Sequence, residues 1–346
     1  MGLFKHGTHI FDAVSHVVDE IEQIQNGCKI FHAGIGDYVA VKIFIVQFIA
    51  DMPQRNVTCG CKKPTADRPC CHCLQEKSRL KTGEIAELRN VEQTRSFFEQ
   101  CLKKGSKNMV EEYTKSKGIA PLLEYKSLPH KKVPVAYKPN PFWRLFKLYG
   151  FDIHVDSVID LFHIEFLGLL VDHTEFLFKY VFDEKEKKKI FAEARKINIS
   201  GNTLPPMEHY KYWNGDNWIT WMMVSPYVLF PFMNTSSKLK HYKCWICHLD
   251  YLVMLLKPSL SLVEIKIAKE KCLEWRRMMI DLYPQEDFNF PNFHCILHLF
   301  PQMERLGVPI LYWTRPFEHK HKTFRGINAT GNFKNVEVWS SNKGFL

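Results

Sequence analysis

The 346-residue chain has no uninterrupted apolar run long enough to cross a bilayer. Its longest apolar stretch, Phe162 to Phe182, is broken by His163, Glu165, Asp172, His173, Glu175 and Lys179, which a spanning helix buries only at high cost. No membrane segment is expected. The opening MGLFKHGTHIFDAV lacks an apolar core and holds Lys5, two His and Asp12, so no secretory leader is expected. His6 stands where a myristoylation signal needs Ser or Thr. Internal repeats are lacking too. Acid is in short supply against base, 37 Asp plus Glu to 47 Lys plus Arg, and the resulting charge of +10 suits a polyanionic partner without requiring one. A hydrophobic share of 46% with 14% aromatics excludes a disordered chain and predicts a folded protein with a substantial core.

Residues Val41 to Ala50, VKIFIVQFIA, are almost continuously apolar and predict a strand buried on both faces of a mixed or parallel sheet. Asp51-Met52-Pro53 ends it, placing an acid where open α/β sheets keep their chemistry. Upstream, the spacing of Phe11, Val14, Val17, Val18, Ile21 and Ile24 predicts an amphipathic helix closed by Gly27. From Glu84 the chain turns helical and charged, with a Pro-rich connector at Leu128 to Pro141. Asp156 is expected to cap a helix running through SVIDLFHIEFLGLLVDHTEFLFKYVF. Ser261-x-x-Glu264 forms a capping box for another, with a buried stripe at Leu262, Ile265, Ala268, Cys272, Trp275, Met279 and Leu282. The run DEKEKKK at Asp183 to Lys189 reads as a solvated helix face.

Without a secretory leader, eleven Cys read as reduced thiols or metal ligands. Cys59, Cys61, Cys70, Cys71, His72 and Cys73 crowd one loop, and Cys70-x-x-Cys73 has the spacing by which two thiolates chelate a tetrahedral zinc. Taken alone these are also ordinary buried thiols. His294-Cys-Ile-Leu-His298 sets two imidazoles on one face of a helix, an arrangement that packed cores also use. Their order along the chain adds weight. Cys70 lies nineteen residues after Asp51 and His298 twenty before Glu318, so two half-sites flank two acids. If the acids meet at one site the half-sites meet as well, and a zinc there fastens the segments on either side of the insertion. A local alternative is completion of the site by Cys59 or Cys61.

Three segments resemble DDE transposases of the CACTA-like type. They are IADMPQRNVTCGCKKPTADRPCCHCL, with a strand, an acid and CxxC; DLFHIEFLGLL, similar to an Asp-x-x-His helix; and FPNFHCILHLFPQMERLGVPILYWTRPFEHKHKTFRG, similar to the segment ending in the third acid. The V(D)J recombinase catalytic subunit has a comparable order of acid, CxxC, HxxxH and acid. The resemblance implies an α/β fold, an RNase H-like core with an incomplete sheet interrupted by a large, mainly α-helical insertion. It divides the chain into 1–83, a partial core; 84–290, the insertion; and 291–346, completing the core.

Carried over, it makes Asp51 the second acid, Glu318 the third, and Cys70, Cys73, His294 and His298 ligands of a structural zinc. Asp160 and His163 match the Asp-x-x-His motif, and Arg315, Lys320, Lys322 and Arg325 are cations placed to hold a DNA backbone. Paired carboxylates of this kind hold magnesium or manganese for two-metal strand cleavage and transfer. Taken alone, Asp51 is also a turn residue beside Pro53 and Glu318 a solvated helix charge. Asp12 and Asp19 fall in or near the amphipathic helix and Asp37 in a Gly-flanked turn, so none follows a first strand as the family's first acid does. The expectation is therefore an amino-terminally truncated, transposase-derived protein with catalysis lost, located in the nucleus, or in the cytoplasm as a non-functional fragment. Its partner is DNA, and an oligomer is admitted by analogy with transposase assemblies. The alternatives are a non-catalytic, zinc-stapled protein binding DNA or protein, and a nuclease using Asp37 in place of the first acid.

Overall fold

The computed structural model describes residues 10–25, 27–199 and 202–318. The protein is mixed α/β and 59% helical, with four two-stranded sheets among these residues. It divides into two units, Met1–Leu74 with Glu87–Val158 and Pro316–Leu346, and Gln75–Ala86 with Ile159–Arg315.

In the first unit, α1 (Ile10–Gln25) forms where the helical apolar period predicts, burying Phe11, Val18 and Ile21. Gly27, at φ +97°, closes it with a backbone N–H to the Ile24 carbonyl at 2.9 Å. A hairpin follows, β1 (Cys28–His32) antiparallel to β2 (Asp37–Val41). β3 is only Phe48–Ile49, parallel to β6 (Ser157–Val158), and Ile43, Phe44 and Val46 are 42%, 53% and 65% exposed. This corrects the expected ten-residue buried strand. Apolar side chains permit burial, but a strand also needs a ladder partner, and here only Val41, at the end of β2, and Phe48–Ile49 have one.

α2 (Met52–Thr58) follows at once, capped by Asp51. α3 (Val91–Leu102) is capped by Asn90 and α4 (Lys107–Lys117) by Ser106. Gly118 ends α4 at φ +65°, and a Cβ there would stand 2.3 Å from the Arg68 carbonyl oxygen. The chain then forms the hairpin of β4 (Leu122–Leu128) and β5 (Lys131–Lys138), where a connector was expected. Pro134, which has no N–H to give a ladder, sits opposite Tyr125 beside a register shift, so its cost to pairing is small. α5 (Phe142–Tyr149) leads to a turn in which the Asp156 carboxylate accepts from the Asp152 N–H at 2.7 Å. That corrects the expected cap. Asp156 closes the preceding turn, residues 157–158 enter β6, and the next helix opens at Leu161. Val18, Phe98, Leu145 and Ile153 are among the side chains of this unit's core.

The longer segment of the second unit, Ile159–Arg315, begins with a π-helix, Phe162–Leu169, running into α6 (Leu170–Tyr180). α7 (Glu184–Lys196) carries the charged run behind a capping box of Asp183 and Glu186. A short pair, β7 (Asn198–Ile199) with β8 (Asn202–Thr203), precedes α8 (Gly215–Leu229), α9 (Ser236–Leu255), α10 (Leu262–Leu282) and α11 (Pro291–Leu306). The Ser261–Glu264 box opens α10, and its stripe is buried from Ile265 to Met279, with Leu262 exposed in the first turn. Trp218, Trp221, Trp245 and Trp275 are all fully buried and form much of the core. Gly168 lets α11 approach the π-helix, since a Cβ there would stand 2.5 Å from the Asn292 amide nitrogen. Buried Arg276 donates to the Leu80 and Lys81 carbonyls, 3.3 Å each, tying the Gln75–Ala86 segment to α10.

Candidate metal centre

The cysteine loop begins where α2 ends. Gly60, at φ +70°, turns the chain under the Phe98 ring, in a backbone conformation that L side chains rarely adopt, and a Cβ there would stand 3.0 Å from that ring. The Asn56 amide donates to the Lys62 and Pro69 carbonyls at 2.9 and 2.8 Å, so both ends of the loop are tied to one helix. Arg89, 1% exposed, donates through Nε to the carbonyls of Cys70 at 3.0 Å and Cys73 at 3.2 Å, and through its other arm to Lys117. One guanidinium fork thus fixes the backbone of the Cys70-x-x-Cys73 turn. Within that turn the His72 N–H points at Cys70 Sγ, 3.4 Å away.

A second layer supports the turn. His72 Nδ1 lies 2.8 Å from the His154 carbonyl and His154 Nδ1 lies 2.8 Å from the Cys71 carbonyl. Since a carbonyl only accepts, both rings carry their proton on Nδ1, and His154 Nε2 accepts from the Thr94 hydroxyl at 2.8 Å. Burial, with the Arg89 charge, pushes His154 down to about 4 and keeps it neutral. Burial pushes Cys61 up to about 12 and raises Cys59 as well. Burial opposes ionising Cys71 also, but a hydrogen bond from Cys59 and the charges of His72 and Arg55 outweigh it and hold that thiol well below its ordinary value. None of the eleven cysteines forms a disulfide among the described residues.

α11 supplies the imidazoles. Pro291 occupies its first turn, where a missing N–H costs nothing, and His294 and His298 follow one turn apart, 0% and 3% exposed. Their Nε2 atoms face each other at 3.2 Å. The ligand atoms of Cys70, Cys73, His294 and His298 lie within 4.8 Å of one another, and all four residues are buried. Zinc bonds of about 2.3 Å to sulfur and 2.0 Å to nitrogen put the ligand atoms of a tetrahedral site roughly 3.3 to 3.8 Å apart. The Nε2 separation already has that length. This cluster can hold a structural metal such as zinc. Among the described residues it is the one such group of three or more His, Cys, Asp or Glu, and it includes neither Cys59 nor Cys61.

The acids are placed otherwise. Asp51, two residues beyond β3, accepts from the Gln54 N–H at 2.8 Å and caps α2. Asp160 comes two residues after β6 and is 2% exposed. It accepts from His163 Nδ1 at 2.5 Å, the Thr314 hydroxyl at 2.5 Å and the Thr314 N–H at 2.9 Å. Burial raises its carboxyl, but the His163 and Thr314 hydrogen bonds outweigh burial and hold it below the ordinary carboxylate value. Glu318 lies half-buried in a helical turn over 315–318. Arg315 Nε donates to Asp216 at 2.9 Å, and its guanidinium stands 5.4 Å from the Trp313 ring centre. Lys320, Lys322 and Arg325 lie outside the described residues.

Sequence reasoning did not recognise Asp160 as a strand-end acid. The signal available was the short β-branched run Ser157-Val-Ile before it, too brief to read as a strand. It also did not single out Glu165, a wholly buried carboxylate of the π-helix that accepts from the Tyr251 hydroxyl at 2.7 Å and lies 3.0 Å from His248 Nε2.

No protein-family model matches the chain, and a search of curated proteins finds no match either. No helix among the described residues is long and apolar enough to cross a membrane.

Proposed function

We propose that this protein is a zinc-binding, DNA-binding descendant of a DDE transposase of the CACTA-like type, with the scaffold of an RNase H-like nuclease. The observation that carries the reading is the buried Cys70, Cys73, His294, His298 cluster, whose ligands stand more than two hundred residues apart in sequence yet follow the order of that family's zinc motif. The set of two thiolates and two imidazoles is a closed one, suited to structure and leaving no ligand position for substrate. DNA is the partner that the charge of +10 favours, and the nucleus the compartment that such a partner implies.

A second reading, a metal-dependent strand-cleaving enzyme, is favoured by one feature. Asp51 and Asp160 each follow by two residues a strand of the single parallel pair among the described residues, the end at which open α/β folds keep their chemistry. Magnesium or manganese belongs to this reading alone.

The test is direct. Metal analysis of purified protein gives one zinc per chain, and Cys73→Ser and His298→Ala each lose it. A chain that purifies without zinc, or one whose zinc survives both substitutions, defeats the zinc reading. A duplex-binding titration decides the DNA partner. Manganese-dependent strand cleavage that disappears in Asp51→Ala or Asp160→Ala replaces the binding protein with the enzyme.

A further inference from the structure

The β4–β5 hairpin lies in a stretch of one charge sign, apart in sequence from the cations around Glu318. From Tyr125 to Phe151 the chain holds no Asp or Glu and six cations, Lys126, Lys131, Lys132, Lys138, Arg144 and Lys147. Two of the six are spent inside the molecule. Lys138 pairs with Asp12, and Arg144 with Asp19 and Glu22. Lys126, Lys131 and Lys132 are exposed and make no ion pair among the described residues.

These three stand at the tip of a ribbon whose base is firmly held. Tyr137 of β5 packs edge-on against Phe98 and Trp143, with ring centres 5.7 and 6.2 Å away, and Pro134 is buried. The tip itself, residues 126–132, is exposed throughout. The ladder places Lys126 opposite Val133, Ser127 opposite Lys132, and Leu128 opposite Lys131. Opposed residues share a face and faces alternate along a strand, so Lys126 and Lys131 point to one side of the ribbon and Lys132 to the other.

Pro129-His130 closes the hairpin, and His130, at φ +65°, is the one non-glycine with a left-handed backbone among the described residues. That conformation keeps the turn two residues long and the lysines at its mouth.

We propose that the β4–β5 hairpin is a basic ribbon that enters a groove of duplex DNA tip first, with Lys126 and Lys131 on one phosphate backbone and Lys132 on the other. A two-stranded ribbon is about 10 Å thick with its side chains, and a major groove about 12 Å wide admits it. Lysine ammoniums are point charges suited to phosphate rather than to base edges, so the contact positions the protein without reading sequence. The proposal rests on DNA being the partner.

The experiment is anisotropy binding to a fluorescent duplex at salt concentrations from about 50 to 200 mM. Each phosphate contact contributes roughly 0.9 to the slope of log affinity against log salt. The Lys126→Ala, Lys131→Ala, Lys132→Ala triple variant is expected to lose a slope of about 2 to 3, with its thermal midpoint and zinc content unchanged. The comparison is a triple Ala variant at Lys185, Lys188 and Lys189 on α7, expected to keep the wild-type slope. An unchanged slope in the hairpin variant overturns the ribbon and leaves DNA binding standing. Equal losses in both variants show diffuse attraction and overturn it too. A wild type that binds no duplex at low salt removes the DNA reading and the ribbon together. A hairpin variant that loses only binding to anionic phosphatidylserine vesicles assigns the tip to a lipid surface and also overturns the proposal.

Discussion

His173 on α6 is wholly buried, and its Nδ1 lies 3.2 Å from the Trp275 indole nitrogen and 3.0 Å from His248 Nδ1. An indole N–H only donates, so His173 Nδ1 is an acceptor and its proton sits on Nε2, which makes no hydrogen bond among the described residues. His248 then donates from its own Nδ1, and its Nε2 lies 3.0 Å from the Glu165 carboxylate. Burial, with the His248 and His241 rings nearby, holds His173 well below the ordinary value of 6.5. The unfolded chain takes a proton near 6.5 that the folded one refuses. Stability from this site is therefore full above pH 6.5 and falls as pH drops below it. Urea unfolding at pH 7.5 and 5.5 is expected to show that loss, and His173→Gln, which has no proton to take, to reduce its pH slope by up to about 1.4 kcal/mol per pH unit. Identical slopes in the two proteins would sink the assignment. No pattern in the sequence marks this network. Its members lie on four separate helical elements, and a buried His on an apolar face looks the same whether it is packed or hydrogen-bonded.

At the scale of elements, the hairpin turn offers a stability test separable from DNA contact. His130→Gly removes the cost of a left-handed L-residue and is expected to raise stability by about 1 kcal/mol, read as a higher thermal midpoint, while leaving the salt slope of DNA binding in place. A lower midpoint would mean that the imidazole makes a contact worth more than the backbone relief. The same elements show what a sequence can disclose. α1 and α10 were legible, because an amphipathic period and a capping box are local and each closes its own hydrogen bonds. β4 and β5 were not, because three prolines between Leu128 and Pro139 argue for a connector, and only the partner strand with its register shift makes Pro134 tolerable. The run Val41–Ala50 failed for the opposite reason. Its composition is that of a buried strand, but ladder partners come from elsewhere in the chain and reach only Val41, Phe48 and Ile49. Asp156 was misread as a cap because the same Asp chemistry serves the turn before it as well as a helix after it.

For the whole molecule, a metal at the Cys70, Cys73, His294, His298 cluster would be the decisive variable. Two pairs of ligands at CxxC and HxxxH spacing were legible because each pair is a local motif, whereas Arg89, which fixes the Cys70–Cys73 backbone, and His154, which supports it, carry no motif at all. Burying two thiolates without a cation is costly, and a bound zinc would offset that cost. A zinc held by the folded arrangement of all four, and not by the unfolded chain, would stabilise by an amount set by its concentration over its dissociation constant, about 4 kcal/mol at a thousandfold excess. A strong chelator is expected to lower the thermal midpoint, and added zinc to restore it. His298→Ala should start near the chelated midpoint and respond to neither treatment. The zinc effect should also weaken as pH falls, since protons compete for both ligand types. A wild-type midpoint indifferent to chelator and zinc, with the variant melting alongside it, would show that the four side chains are packed core.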